Sequence, residues 1–236
     1  GKTKPDYLWT GSRPGGDVFF HWETSRMTAC LDKVIPATFT GTIQCDGYAA
    51  YRAFANRRGQ AIELASCWPH MRRKFHEAAE SATRLVGWSL NPIQQLYRIE
   101  ANLRIHYAGP RLCAAVRGSE NRPVVKRIER ALLKLKVSKC QLPHSLLGTV
   151  IDYALGQWRM LEIYLTDGRV EIDNNLVENA VRPTAIGKKN WLFIGETDAG
   201  QRSVIIYTVI ETCHRQRLNP YQYLGVVLSR LPNMTN

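Results

Sequence analysis

The chain has 236 residues, 44% of them apolar, and its 32 lysines and arginines outnumber its 20 aspartates and glutamates. That length accommodates one α/β domain with an insertion, or two small domains, each with a real core. A net charge of +12 makes polyanions, nucleic acid first among them, the leading partner class. No apolar run reaches the roughly 18 residues needed to cross a bilayer. The opening residues carry no secretory pattern, so no membrane partner is expected and the location expected is the cytoplasm. The cysteines Cys30, Cys45, Cys67, Cys113, Cys140 and Cys213 form no C-x-x-C pair and read as buried free thiols of a reducing compartment. Cys67-x-x-His70 has the spacing of half a zinc site, but no second pair completes it.

In chain order, Gly1 to Pro5 reads as a turn or linker, as if the chain were part of a longer protein. Tyr7 to Thr10 and Asp17 to Trp22 read as a hairpin around Arg13-Pro14-Gly15-Gly16. A helix is expected near residues 26–34, stopped by Pro36. A strand over Thr40 to Asp46 ends at Gly47, a helix follows over residues 48–56, and a further strand covers Ala61 to Trp68. Hairpin, helix, strand, helix, strand is the order of an open α/β sheet.

Residues 70–166 then read as helix after helix, with breaks at Asn91-Pro92, Gly109-Pro110, Arg122-Pro123 and Leu142-Pro143. Leu96, Ile99, Leu103 and Tyr107 repeat at helical spacing, as do Val125, Ile128, Leu132 and Leu135. Arg127, Arg130, Lys134 and Lys136 decorate the second stripe as a solvated face. The block reads as an α-helical insertion. In the tail, Asp173 is expected to cap a short amphipathic helix that carries Glu178. Val177 and Val181 share one face of that helix, and Asn174 and Glu178 share another. On spacing alone Glu178 could simply pair with Arg182. Trp191 and Phe193 are expected in the core of a short strand. Thr197 or Asp198 caps a long helix to about Arg217, and Asn219-Pro220 gives the cap and first position of the last one.

Three segments carry a resemblance: Gln44-Cys45-Asp46-Gly47-Tyr48-Ala49-Ala50-Tyr51, Cys67-Trp68-Pro69-His70-Met71-Arg72-Arg73-Lys74-Phe75, and the stretch from Asp173 to Gly195 with its Asp-Asn-Asn-Leu-Val-Glu opening. In this order, with Tyr7-Leu8-Trp9 ahead of them, they resemble the transposases of the insertion sequence 66 family over nearly the whole chain. The resemblance implies a ribonuclease-H-like mixed sheet with an α-helical insertion and C-terminal helices. Residues 1–69 would be the first part of the core, 70–166 the insertion, and 167–236 the second part. It implies DDE chemistry, in which three acids hold two Mg²⁺ ions, or Mn²⁺, for DNA cleavage and strand transfer. The second acid maps to Asp46 and the third to Glu178, and their carboxyl groups are expected to converge.

The first acid has no counterpart, since neither Asp6 nor Asp17 has the family's flanking residues. The fragment is therefore expected to begin after the first strand and to be inactive by itself. Arg72, Arg73 and Lys74, with Arg182, Lys188 and Lys189, are the expected DNA contacts. Asp46 also reads as the turn-forming residue of an Asp-Gly pair. Element ends and target DNA are the implied partners, with a homo-oligomer for the full-length bacterial protein. The rival readings are a non-catalytic DNA-binding remnant and a ribonuclease-H-like nuclease that only hydrolyses.

Overall fold

The computed structural model describes residues 5–138, 145–191 and 194–233, with the backbone alone for residues 79–90, 191 and 197. The chain divides into two compact units, one made of Gly1–Pro36 and Asn175–Asn236, the other of Ala37–Asn174. The architecture is mixed α/β and mostly helical, with two small sheets.

The expected hairpin is present. β1 (Tyr7–Ser12) pairs antiparallel with β2 (Val18–Glu23), from Tyr7 opposite Glu23 to Ser12 opposite Val18. Strand alternation puts Val18, Phe20 and Trp22 on one face, and all three are buried. α1 (Ala29–Val34) is shorter than expected and ends at Ile35, just ahead of Pro36.

In the middle unit, β3 (Gly41–Cys45) and β4 (Ile62–Ser66) run parallel, Gly41 opposite Ile62 and Cys45 opposite Ser66. A parallel pair needs a crossover, and α2 (Ala49–Arg58) supplies it. The single open sheet expected from the sequence is thus two separate pairs. The hairpin turn and the α2 crossover each bring two strands together, and no described strand pairs with both sheets.

α3 (Trp68–Ile105) runs unbroken through Asn91-Pro92, where a break was expected. Proline removes one helical hydrogen bond and strains the preceding turn, but here Pro92, Ile93 and Leu96 are all buried, and that burial offsets the loss. The buried stripe is Ile93, Leu96, Glu100 and Leu103. Tyr107 lies beyond the helix, at φ 49°, and is 94% exposed. α4 (Pro110–Val116) starts at the expected Gly109-Pro110 break. A π-helical turn, Arg117–Asn121, joins it directly to α5 (Arg122–Val137). Pro123 is the second residue of α5, directly after the π-helical turn, and no break forms there. Leu142-Pro143 lies outside the described residues. α6 (Leu146–Glu162) begins with Ser145, whose Oγ accepts from Gly148 N–H at 3.1 Å.

The core of this unit centres on Trp68. Its ring is edge-on to Trp158 and Tyr164, and its Nε1–H donates to the Leu161 carbonyl at 3.1 Å. Val125, Ile128 and Leu132 join that core, as their spacing predicts. Beside it lies a buried ion pair. Arg117 donates from Nε and Nη2 to the two oxygens of Glu100, at 2.9 and 2.7 Å, and each side chain is 1% exposed. Its Nη1 donates to the carbonyls of Tyr164 and Val170, and Asn121 donates to Glu100 as well.

α7 (Asn175–Trp191) continues through Pro183 and carries Lys188, Lys189 and Asn190 in its last turns, where a short strand was expected from Trp191. Leu192 and Phe193 lie outside the described residues. Ala180 is buried against the hairpin core, with Val181 packed beside it. α8 (Thr197–Arg215) covers the edge of β2: Thr208 Oγ1 accepts from Phe20 N–H at 3.0 Å, and Gln201 and Thr212 donate to the carbonyls of Trp22 and Val18. Three alternate residues of an edge strand are thereby satisfied by one helix. α9 (Pro220–Arg230) is capped as expected, Asn219 Oδ1 accepting from Tyr221 and Gln222. The five described cysteines, Cys30, Cys45, Cys67, Cys113 and Cys213, are free and buried.

Two stability measurements follow. Arg117→Met should cost about 3–5 kcal/mol in urea denaturation, because Glu100 is left buried without its guanidinium; a loss under about 1 kcal/mol contradicts the buried pair. Gly200→Ala should also lower the melting temperature. Alanine is ordinarily the better helix former by about 1 kcal/mol, but the Trp22 indole occupies the space its Cβ would need. An unchanged or higher midpoint counts against that close packing.

Candidate functional site

Each unit holds part of the expected site. Asp46, Arg72, Arg73 and Lys74 belong to the unit of Ala37–Asn174, and Glu178, Arg182, Lys188 and Lys189 to the other.

Asp46 follows the last residue of β3, at the carboxyl end of the parallel pair, where open α/β sheets collect ligands. Its side chain is exposed. Oδ1 accepts from Tyr48 N–H at 3.0 Å, a local turn that orients the carboxylate. Gly47 adopts φ +85° inside that turn, and a Cβ there would press on the Tyr153 hydroxyl and the Gln157 amide. The turn-forming and the site-forming readings of Asp46 are therefore compatible: the turn is what presents the carboxylate.

α6 lies along this turn. Tyr153 donates to the Asp46 carbonyl at 3.5 Å, Gln157 Oε1 accepts from Ser66 Oγ at 2.9 Å, and the Gly156 carbonyl accepts from Arg52 at 3.4 Å. Burial pushes the Cys45 thiol up to about 11, so it stays neutral next to Asp46. Burial, and then the Asp46 charge, push the Tyr153 phenol upward, which keeps it a donor. Of the basic cluster on the first turns of α3, Arg72 and Arg73 are exposed, whereas Lys74 is half-buried with Nζ 4.8 Å from the centroid of the Tyr153 ring.

The residues leading into α7 are held one by one. The Glu171 carbonyl accepts from the Gln44 side chain at 2.6 Å, and the Ile172 carbonyl from Trp68 N–H at 3.1 Å. Arg104 reaches Glu171 at 2.9 Å and Asp173 at 3.3 Å. The Cys67 thiol donates to Asn174 Oδ1 at 2.9 Å. Burial works against the Arg104 charge, but the two carboxylates outweigh it and its pKa moves upward. Asp173, expected as the cap, is 6% exposed and faces Arg104, and the helix opens two residues later at Asn175. None of Gln44, Arg104, Tyr153 and Gln157 was read from the sequence as part of a site. Each acts on a residue 67 to 127 positions away, a separation at which no local spacing signals a partner.

Glu178 is half-buried in the first turn of α7, where the positive end of the helix dipole favours a carboxylate. Arg182 is exposed one turn later. Lys188 and Lys189 are exposed in the last turn, where cations suit the negative end. At 1.5 Å per residue they are roughly 15 Å along the axis from Glu178. They form a separate basic end of the helix rather than a flank of the carboxylate. Among the described residues no three or more of His, Cys, Asp and Glu gather as metal ligands, and no helix is long and apolar enough to cross a membrane.

No solved structure matches the chain. The uncharacterized protein y4qI of Sinorhizobium fredii (strain NBRC 101917 / NGR234) is 33% identical over 249 aligned positions, covering 98% of this chain and 44% of its own length. A second protein of that strain, y4jD, also uncharacterized, is 31% identical over 231 positions and 96% of this chain. The chain spans 44% of the length of each of these relatives. The sequence profile described as "Transposase IS66 family" matches residues 1–202, a span that contains both Asp46 and Glu178, and the chain belongs to that family.

Proposed function

We propose that this chain supplies two acids and a DNA-binding surface to a DDE transposase, a metal-dependent enzyme that cleaves the ends of an insertion sequence and joins them to target DNA. The observation that carries the reading is Asp46, held exposed by its own turn at the carboxyl end of β3, in a chain whose family match also contains Glu178 on the first turn of a helix. The two sheets fit a ribonuclease-H-like core. In the hairpin, α8 covers the edge of β2.

The donor set fits Mg²⁺, a hard ion that takes one or two carboxylates and keeps water and phosphate as its other ligands. Asp46 and Glu178 would hold it, and when bound it supplies Lewis-acid polarisation of the phosphate and a more acidic attacking hydroxyl. The Asp46 turn fixes the direction of one carboxylate, and the first turn of α7 carries the other. Arg72, Arg73, Lys74 and Arg182 offset phosphate charge and orient the strand. Lys188 and Lys189 contact the backbone further along the duplex. The protein would act in the bacterial cytoplasm, as an oligomer when full length.

In the full-length protein, Asp46→Asn and Glu178→Gln should each abolish cleavage and strand transfer in Mg²⁺ and leave DNA affinity near normal, since affinity comes mainly from phosphate contacts. Near-normal cleavage by either variant in a gel assay rejects the site. The chain itself should bind duplex DNA with little sequence preference and a steep salt dependence. Replacing Lys188 and Lys189 with alanine should flatten the slope of log affinity against log salt by up to about 2, alike for any sequence. An unchanged slope removes this end of α7 from the DNA surface.

A further inference from the structure

The basic residues near Asp46 are not equivalent. Arg72 and Arg73 extend into solvent, but Lys74 is half-buried over the Tyr153 ring. Lysine loses much rotamer freedom when it is fixed in place. The aromatic face offsets that cost. With its face taken by the ammonium and its hydroxyl near Gly47, Tyr153 does not offer that face to a nucleobase. The same hydroxyl reaches the Asp46 carbonyl, so a single side chain from α6 touches the Asp46 turn with one end and Lys74 with the other. At 3.5 Å the hydroxyl bond is long and weak, so the ring accounts for most of the effect.

We propose that Tyr153 is a positioning residue of the DNA-binding surface, holding the Lys74 ammonium beside the Asp46 turn so that it contacts a backbone phosphate there. The ligand is a phosphodiester of DNA, and the inference rests on the DNA-processing role proposed above. Tyr153 contributes no charge and no base contact. Arg52, fastened to the Gly156 carbonyl on the same stretch of α6, adds a second cation near the turn. The helical block, which in sequence looks like an insertion remote from the chemistry, thereby sets the electrostatics of the Asp46 end of β3.

The test measures binding of this chain to a labelled duplex by fluorescence anisotropy at several salt concentrations. Lys74→Ala should flatten the log–log salt slope by about 0.9, the loss of one phosphate contact. Tyr153→Phe, which keeps the ring, should leave the slope nearly unchanged. Tyr153→Leu should lower it almost as far as Lys74→Ala, and the double variant should go no further, because both changes remove one contact. Tyr153→Gln serves as a second non-aromatic variant should the leucine fail to fold, with circular dichroism as the check. A wild-type slope for Lys74→Ala, or for a folded non-aromatic variant at 153, overturns the proposal. So does a double variant whose loss is the sum of the two single losses. Cleavage that survives Asp46→Asn removes the catalytic reading and leaves this result standing. A wild-type slope for Lys74→Ala, with Asp46→Asn inactive, does the reverse.

Discussion

The buried pair of Arg117 and Glu100 is the constraint from which the middle unit is organised. A guanidinium and a carboxylate out of water are costly unless every donor is used. Here two N–H groups take both Glu100 oxygens and Nη1 takes the carbonyls of Tyr164 and Val170. Burial alone would lower the Arg117 pKa, but the Glu100 hydrogen bond and charge prevail and it moves upward. The π-helical turn carries two of the partners. Arg117 and Asn121, at its two ends, reach the same carboxylate. From Val170 the chain enters the segment tied to Gln44, Trp68, Arg104 and Cys67, and α7 opens at the next residue. One ion pair in the core is thus linked through a handful of residues to the start of the helix that carries Glu178.

What the sequence reveals depends on how local the cause is. The hairpin, the Asn219 cap, the Gly109-Pro110 break and the Val125–Ile128–Leu132 stripe are all set by neighbours within a turn or two, and all are present. Pro92 reads as a stop and lies inside a helix, because tertiary burial outweighs one lost hydrogen bond. Asp173 has the residue type of a cap, and the partner that claims it, Arg104, is 69 residues away. Asp46 was legible only through the motif around it. That Tyr153 and Gln157 support its turn was not legible, because α6 is distant in sequence and its polar positions look like any solvated face.

The charge of the chain is likewise organised by structure more than by composition. Arg117 and Arg104 are spent on internal carboxylates, and Lys126 and Lys136 on ion pairs at the surface. Surface pairs of this kind contribute little to stability, but they remove cations from the set open to a polyanion. Arg72 and Arg73 on the first turns of α3, and Arg182, Lys188 and Lys189 along α7, are among the exposed cations that stay open to one.

The fastening of β2 by α8 has a consequence in time. Phe20 and Thr208, joined by one hydrogen bond, are 188 residues apart. At roughly 5–20 residues per second, a ribosome needs about 10–40 s to make the second after the first. A two-stranded ribbon is marginal alone in water, and for that interval Val18, Phe20 and Trp22 have no helix to cover them. Meanwhile the whole of Ala37–Asn174 emerges and can close around its own ion pair. The middle unit is therefore complete before the two segments of the other unit meet, and until then the apolar face of the hairpin waits for α8.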